Sequence, residues 1–148
     1  MRSAIYSMVF AVIFTIGPAN MSTAADACSL LSKETAAAAL GEAVTGPKPS
    51  GKAPEASACE FTGSGLHKIN LNVMQLTAAN GAVYKTLCDQ KGKEGLSGLG
   101  PTACWYDDKH KELQVLKGTM FFSIEITRSG DPTEPIKAAA KKVFDQIK

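Results

Sequence analysis

The 148-residue chain is poor in the side chains that most catalytic and metal sites use. It has two histidines, His67 and His110, and a single tryptophan, Trp105. Nothing at close helical spacing supports a histidine metal pair, so both are read as ordinary surface histidines at strand ends or turns. There is no G-x-S-x-G elbow, no phosphate loop and no dinucleotide fingerprint. Gly95, Gly98 and Gly100 do not precede a helix, which argues against a phosphate cradle. No two cysteines form a close C-x-x-C pair, which argues against zinc. Charge of one sign is lacking too: 16 Lys+Arg, one of them Arg2, stand against 14 Asp+Glu. A near-neutral chain gives no electrostatic case for nucleic acid. Beyond the N-terminus no apolar run is long enough for a membrane helix. The sequence therefore assigns no catalytic residue, no cofactor and no metal ligand.

What is present begins with a leader. Arg2 supplies a positive start, Met8 to Ile16 a short apolar run, and Ser22-Thr23-Ala24-Ala25 small residues for cleavage. This pattern reads as a secretory signal peptide over residues 1–25, too short to span a membrane. A lipid anchor on Cys28 is the competing route, but Asp26 in Ala25-Asp26-Ala27-Cys28 fits it badly. The expectation is a soluble periplasmic or secreted protein with one domain over residues 26–148. Four cysteines follow the leader, Cys28, Cys59, Cys88 and Cys104. An even number in an exported chain predicts two disulfides, with three pairings open.

Period-two alternation marks strands with one buried face. It is clearest in Met120, Phe122, Ile124 and Ile126 against Phe121, Ser123, Glu125 and Thr127. Residues 112–115 alternate likewise, and Lys117-Gly118 supplies the hairpin turn between the two runs. Ala103 to Tyr106 reads as a third short strand, left by the polar turn Asp107 to Lys111. Asp107 and Asp108 with Glu112 are a conceivable cation site, but a solvated turn is the better reading. Upstream, residues 57–62 and 67–76 read as strands around Gly63-Ser64-Gly65, with Met74 breaking the alternation.

Three helices complete the pattern. One begins at Ser32 and ends at Gly41. The next begins near Asn80 and carries Val83, Tyr84, Leu87 and Cys88 on one stripe. The last begins at Asp131-Pro132 and carries Ile136, Ala140, Val143, Phe144 and Ile147. Thr45 to Ala56, with three prolines and no large apolar residue, reads as a surface loop. The expected fold class is α+β in the order α-β-β-α-β-β-β-α. It is a single antiparallel five-stranded sheet with all helices on one face.

Three pieces carry a resemblance: Cys28-Ser29-Leu30-Leu31 before an Ala-rich helix, Cys59 two residues before Phe61, and Gly98-Leu99-Gly100 before Ala103 and an aromatic pair. With them the chain resembles a broad group of small exported bacterial proteins and lipoproteins of uncharacterised function. Pro101 stands where an acidic residue is common in that group. In outline it is also similar to extracellular sensor domains of bacterial serine/threonine kinases and to PsbP-like folds. In such proteins the first cysteine is expected to pair with the one before the aromatic, so the resemblance implies Cys28–Cys59, with Cys88–Cys104 as the second bridge. No catalytic residue comes with it. Cys88 falls late in its helix, where the dipole disfavours a thiolate, so its bridge reads as structural rather than redox-active.

The implied pairing locates a binding face. If Cys104 reaches a helix on the covered side, strand alternation turns Trp105 to the open side. Asn70, Asn72, Gln114, Phe121, Ser123 and Glu125 are expected there with it. Aromatics among amides and hydroxyls suit a recognition surface. The functional expectation is a non-enzymatic binding module for a protein, peptide or envelope ligand. An inhibitor or accessory protein of another exported protein is the alternative, and an enzyme with an unfamiliar site a third.

Overall fold

The computed structural model describes residues 26–52 and 56–148, so the leader predicted over residues 1–25 lies outside the described residues. The elements are α1 (Ala27–Leu30), α2 (Lys33–Leu40), β1 (Thr45–Lys52), β2 (Ala56–Thr62), β3 (Lys68–Gln75), α3 (Ala78–Asp89), β4 (Ala103–Trp105), β5 (Glu112–Lys117), β6 (Met120–Thr127) and α4 (Thr133–Gln146). The strands form one sheet in the order β1-β2-β3-β6-β5-β4. Every neighbouring pair is antiparallel.

The sheet has six strands, not five, because Thr45–Lys52 is a strand rather than a loop. Its composition hides it. Pro47 and Pro49 cannot donate to a ladder, so this segment is confined to the edge, where only one neighbour needs bonding. A register shift between Thr45 and Lys48 absorbs the irregularity. Gly46 lies at φ 121°, and a Cβ there would sit 2.9 Å from the Glu60 carbonyl oxygen, so only glycine fits. Prolines and lysines on an edge also discourage pairing with another chain.

Alternation places one row of side chains in a continuous core. Phe61, Ile69, Leu71, Val73, Leu113, Val115, Phe122, Ile124 and Ile126 are at most 1% exposed. Burying each such side chain contributes about 1.5–3 kcal/mol. α1, α2 and α4 cover this face, α4 through Ile136, Ala139, Ala140 and Val143. Phe144, expected as a centre of the α4 stripe, is only half-buried and packs at the margin. Cys28 in α1 bonds Cys59 in β2 on this covered side.

The helix ends are tied to the sheet. Ser32 Oγ accepts from Thr35 N–H at 3.2 Å and starts α2, and Gly41 in the left-handed region ends it. Arg128 Nη1 donates to the Ala39 carbonyl at 2.6 Å, satisfying one orphan acceptor of α2. Lys117 Nζ does the same for α4, donating to Phe144 O at 2.9 Å and to Ile147 O. A cation there also suits the negative end of the helix dipole. α4 begins one residue later than the capping pattern placed it. Asp131 Oδ1 nevertheless accepts from Thr133 N–H at 2.9 Å.

α3 departs most from expectation. Thr77, not Asn80, caps it, accepting from Asn80 N–H at 3.2 Å. It packs on the face opposite the other three helices. Cys88 bonds Cys104, whose register partner is Gln114 rather than a core residue. The Tyr84 ring meets Phe121 edge-on, with centroids 4.8 Å apart. Helices therefore lie on both faces, and each disulfide fastens a helix to a different one.

Candidate functional site

The second face of the sheet is covered at one end by α3 and open elsewhere. Register sets its side chains in rows. Asn70 pairs with Glu125 and Glu125 with Glu112. Asn72 pairs with Ser123, Ser123 with Gln114 and Gln114 with Cys104. Met74 pairs with Phe121 and Phe121 with Leu116. Six of the predicted face residues, Asn70, Asn72, Gln114, Phe121, Ser123 and Glu125, thus come together.

Trp105 does not join them. It is 2% exposed and belongs to the main core. The alternation between Cys104 and Trp105 holds, but the helix that Cys104 reaches lies on the other face from that assumed. Trp105 stacks on His110, centroids 4.3 Å apart and 22° between planes, and its Nε1–H donates to Glu94 O at 3.2 Å.

The polar floor is recessed and weakly charged at its centre. Ser123 is only 5% exposed, and Asn72 Nδ2 donates to its Oγ at 3.4 Å. Gln114 Nε2 donates to Glu112 Oε1 at 2.9 Å. Toward α3 the floor rises into an apolar groove of about 280 Å³ lined by Met74, Leu76, Asn80, Val83, Tyr84, Leu87 and Phe121. α3 buries only Cys88 of its own residues. Val83 is 61%, Leu87 53% and Met74 40% exposed. These three residues were missing from the predicted face. Two signals pointed to them: Met74 broke the strand alternation, and the α3 stripe was wider than one buried line requires. Burial holds the Tyr84 hydroxyl well above its ordinary range, with the Glu112 carboxylate adding to the shift. Tyr84 therefore presents a neutral phenol, its oxygen 3.7 Å from Cys104 Sγ.

A second, polar cleft of about 420 Å³ lies between residues 90–94 and 105–110. Its Lys91 and Asp107 side chains are engaged with backbone groups. Lys91 Nζ donates to Tyr106 O at 3.2 Å. The Asp107 carboxylate accepts from the backbone N–H of Lys109, Lys111 and Glu112, so it builds the turn. Glu112 points into the sheet row described above, away from any shared site with Asp107 and Asp108. Among the described residues no three His, Cys, Asp or Glu side chains gather as a metal site.

His67 is more than a surface histidine. Its Nδ1 lies 2.7 Å from Glu42 Oε1, and its Nε2 lies 3.0 Å from Ser129 Oγ. Ser64 Oγ and N–H, with His67, hold the Glu42 carboxyl down to about 2, so Glu42 is an acceptor and Nδ1 the donor. The order carboxylate, imidazole, hydroxyl is that of a hydrolytic relay. Yet Ser129 N–H also donates to Nε2, at 3.2 Å. The ring lone pair is shared between two donors of one residue. The group reads as a clamp joining the segment after α2, the β2–β3 turn and the segment after β6.

No family model, curated protein or solved structure matches the chain. The two disulfides fit an oxidising compartment. No helix of the described residues is long and apolar enough to cross a membrane.

Proposed function

We propose that the chain is an exported, disulfide-stapled, non-enzymatic binding module, periplasmic or secreted. It takes a protein, peptide or envelope ligand on the half-open sheet face beside α3. One observation carries this reading. α3 turns Val83 and Leu87 outward over Met74, at the rim of a recessed floor of amides and a hydroxyl. Exposed apolar walls cost solvation free energy that a ligand recovers on binding. The amides beside them supply orientation. The polar cleft supports the reading less well, because its Lys91 and Asp107 side chains are already bonded to backbone groups and no apolar wall lines it beyond Trp105 and Tyr106. A disulfide-fastened wall also lowers the ordering cost of association, which suits an inhibitor or accessory role equally.

The test is native recovery of the affinity-tagged chain from its own periplasm or medium, beside a Val83→Asp/Leu87→Asp variant. The expected result is a stoichiometric companion, seen by native mass spectrometry, that the variant loses while its circular dichroism spectrum and thermal midpoint stay the same. A companion kept by the folded variant would move the site elsewhere on the molecule.

A further inference from the structure

We infer that the occupant of this face is a basic, extended peptide segment of a partner protein, with one apolar anchor four residues from an arginine or lysine. The inference rests on the proposed binding role and names the chemistry of its partner.

The charge distribution supplies the argument. In a chain of nearly balanced charge, Glu112 and Glu125 stand directly opposite each other in register on the open face. Like charges at such positions destabilise a sheet. Among the described residues neither carboxylate forms an ion pair. Their flanking register partner is the neutral Asn70. Lys68 is paired with Thr127, one diagonal step from Glu125, and Lys48 lies across the sheet opposite Glu60. Gln114 Nε2 bonds one oxygen of Glu112, but no cation of the described residues is bonded to either carboxylate, so the molecule keeps two like charges opposite in register that a cation from outside would neutralise.

The apolar groove and the acidic pair lie on one line. Phe121, Ser123 and Glu125 alternate along the same face of β6. Phe121 and Glu125 are four residues apart, about 13 Å at the usual strand rise. An extended peptide spaces side chains on one of its faces identically. A leucine or phenylalanine of the partner seated between Met74, Val83 and Leu87 therefore places its fourth successor over Glu112 and Glu125. The intervening residue of that face meets Asn72 and Ser123, where a small polar side chain fits. Neutral Tyr84 adds an aromatic wall without a competing charge. An acidic or uncharged segment finds no counterpart at the carboxylate end.

The experiment uses the disulfide-intact chain and three fluorescein-labelled heptapeptides. Each has phenylalanine at its second position and serine or threonine elsewhere. The sixth position is arginine in one, glutamine in another and glutamate in the third. Fluorescence anisotropy at low salt gives affinities, and amide chemical shifts map the site. The expected order is arginine tightest and glutamate weakest. Glu112→Gln/Glu125→Gln should weaken the arginine peptide about fivefold and leave the glutamine peptide unchanged, the size expected of partly exposed ion pairs. Equal binding of all three in the groove would overturn the basic partner while sparing the binding site. Shifts confined to other surfaces, or no binding by any peptide, would overturn this inference. Only the former would also count against the site.

Discussion

Cys104 and Trp105 are consecutive residues of β4, and their side chains leave the sheet on opposite faces. Cys104 bonds Cys88 of α3 on the half-open side, while Trp105 is stacked on His110 and sealed in the core. The only tryptophan therefore reports on the core, and its neighbour holds the wall of the candidate site.

Trp105 emission should be blue-shifted and resistant to iodide. Trp105→Ala should cost about 3–5 kcal/mol, as for other buried aromatics. Equilibrium urea unfolding with an unchanged m-value measures it. A loss below about 1 kcal/mol with red, quenchable emission would place the ring in solvent.

α3 depends on its bridge more than any other element, because Cys88 is its only buried residue. Thiol titration of the denatured, unreduced protein should find no free thiol. Removing the bridge with Cys88→Ala/Cys104→Ala should cost about 3 kcal/mol by the chain-entropy estimate for a loop of this length. The cost should be local. Hydrogen exchange should quicken across α3 while β3 and β6 stay protected. Uniform loss of protection would mean that α3 is integral to the core.

Glu42 gives a pH dependence of defined sign. Its folded pKa of about 2 lies below the ordinary 4.5 because Ser64 and His67 hydrogen-bond its carboxylate. The contribution is present in full above about pH 4.5, shrinks as pH falls and is lost as pH falls through about 2. Asp89, paired with Lys85 and Lys93, behaves in the same sense. Glu42→Gln should thus lower the urea midpoint at pH 7, with the gap much smaller at pH 2.5 and closing below about pH 2. An equal gap at both pH values would show that the ionised carboxylate contributes nothing.

How far the sequence revealed this architecture depended on the element. The strands from Ala103 to Thr127 follow from alternation and the Lys117-Gly118 turn, since one face is buried and the register cannot slip. β1 was hidden because prolines and glycines mark loops as readily as they mark edge strands. α1, four residues long, is too short for periodicity to register. The side of the sheet that α3 occupies was not readable from its own stripe, since an apolar stripe says that a helix docks and not where. That one unknown reversed the placement of Trp105, while Asn70, Asn72, Gln114, Phe121, Ser123 and Glu125 share one sheet face by register. The pairing of the cysteines, implied by the resemblance, is the one found.

The face beside α3 is where we propose that the protein meets its partner. Photo-crosslinking in the cell of origin checks this, with benzoylphenylalanine replacing Val83 in one variant and the exposed Lys33 of α2 in another. A discrete adduct is expected from position 83 and none from position 33, with the adduct lost when Leu87 is also changed to Asp. An adduct from position 33 alone, or the same adducts from both positions, would contradict it.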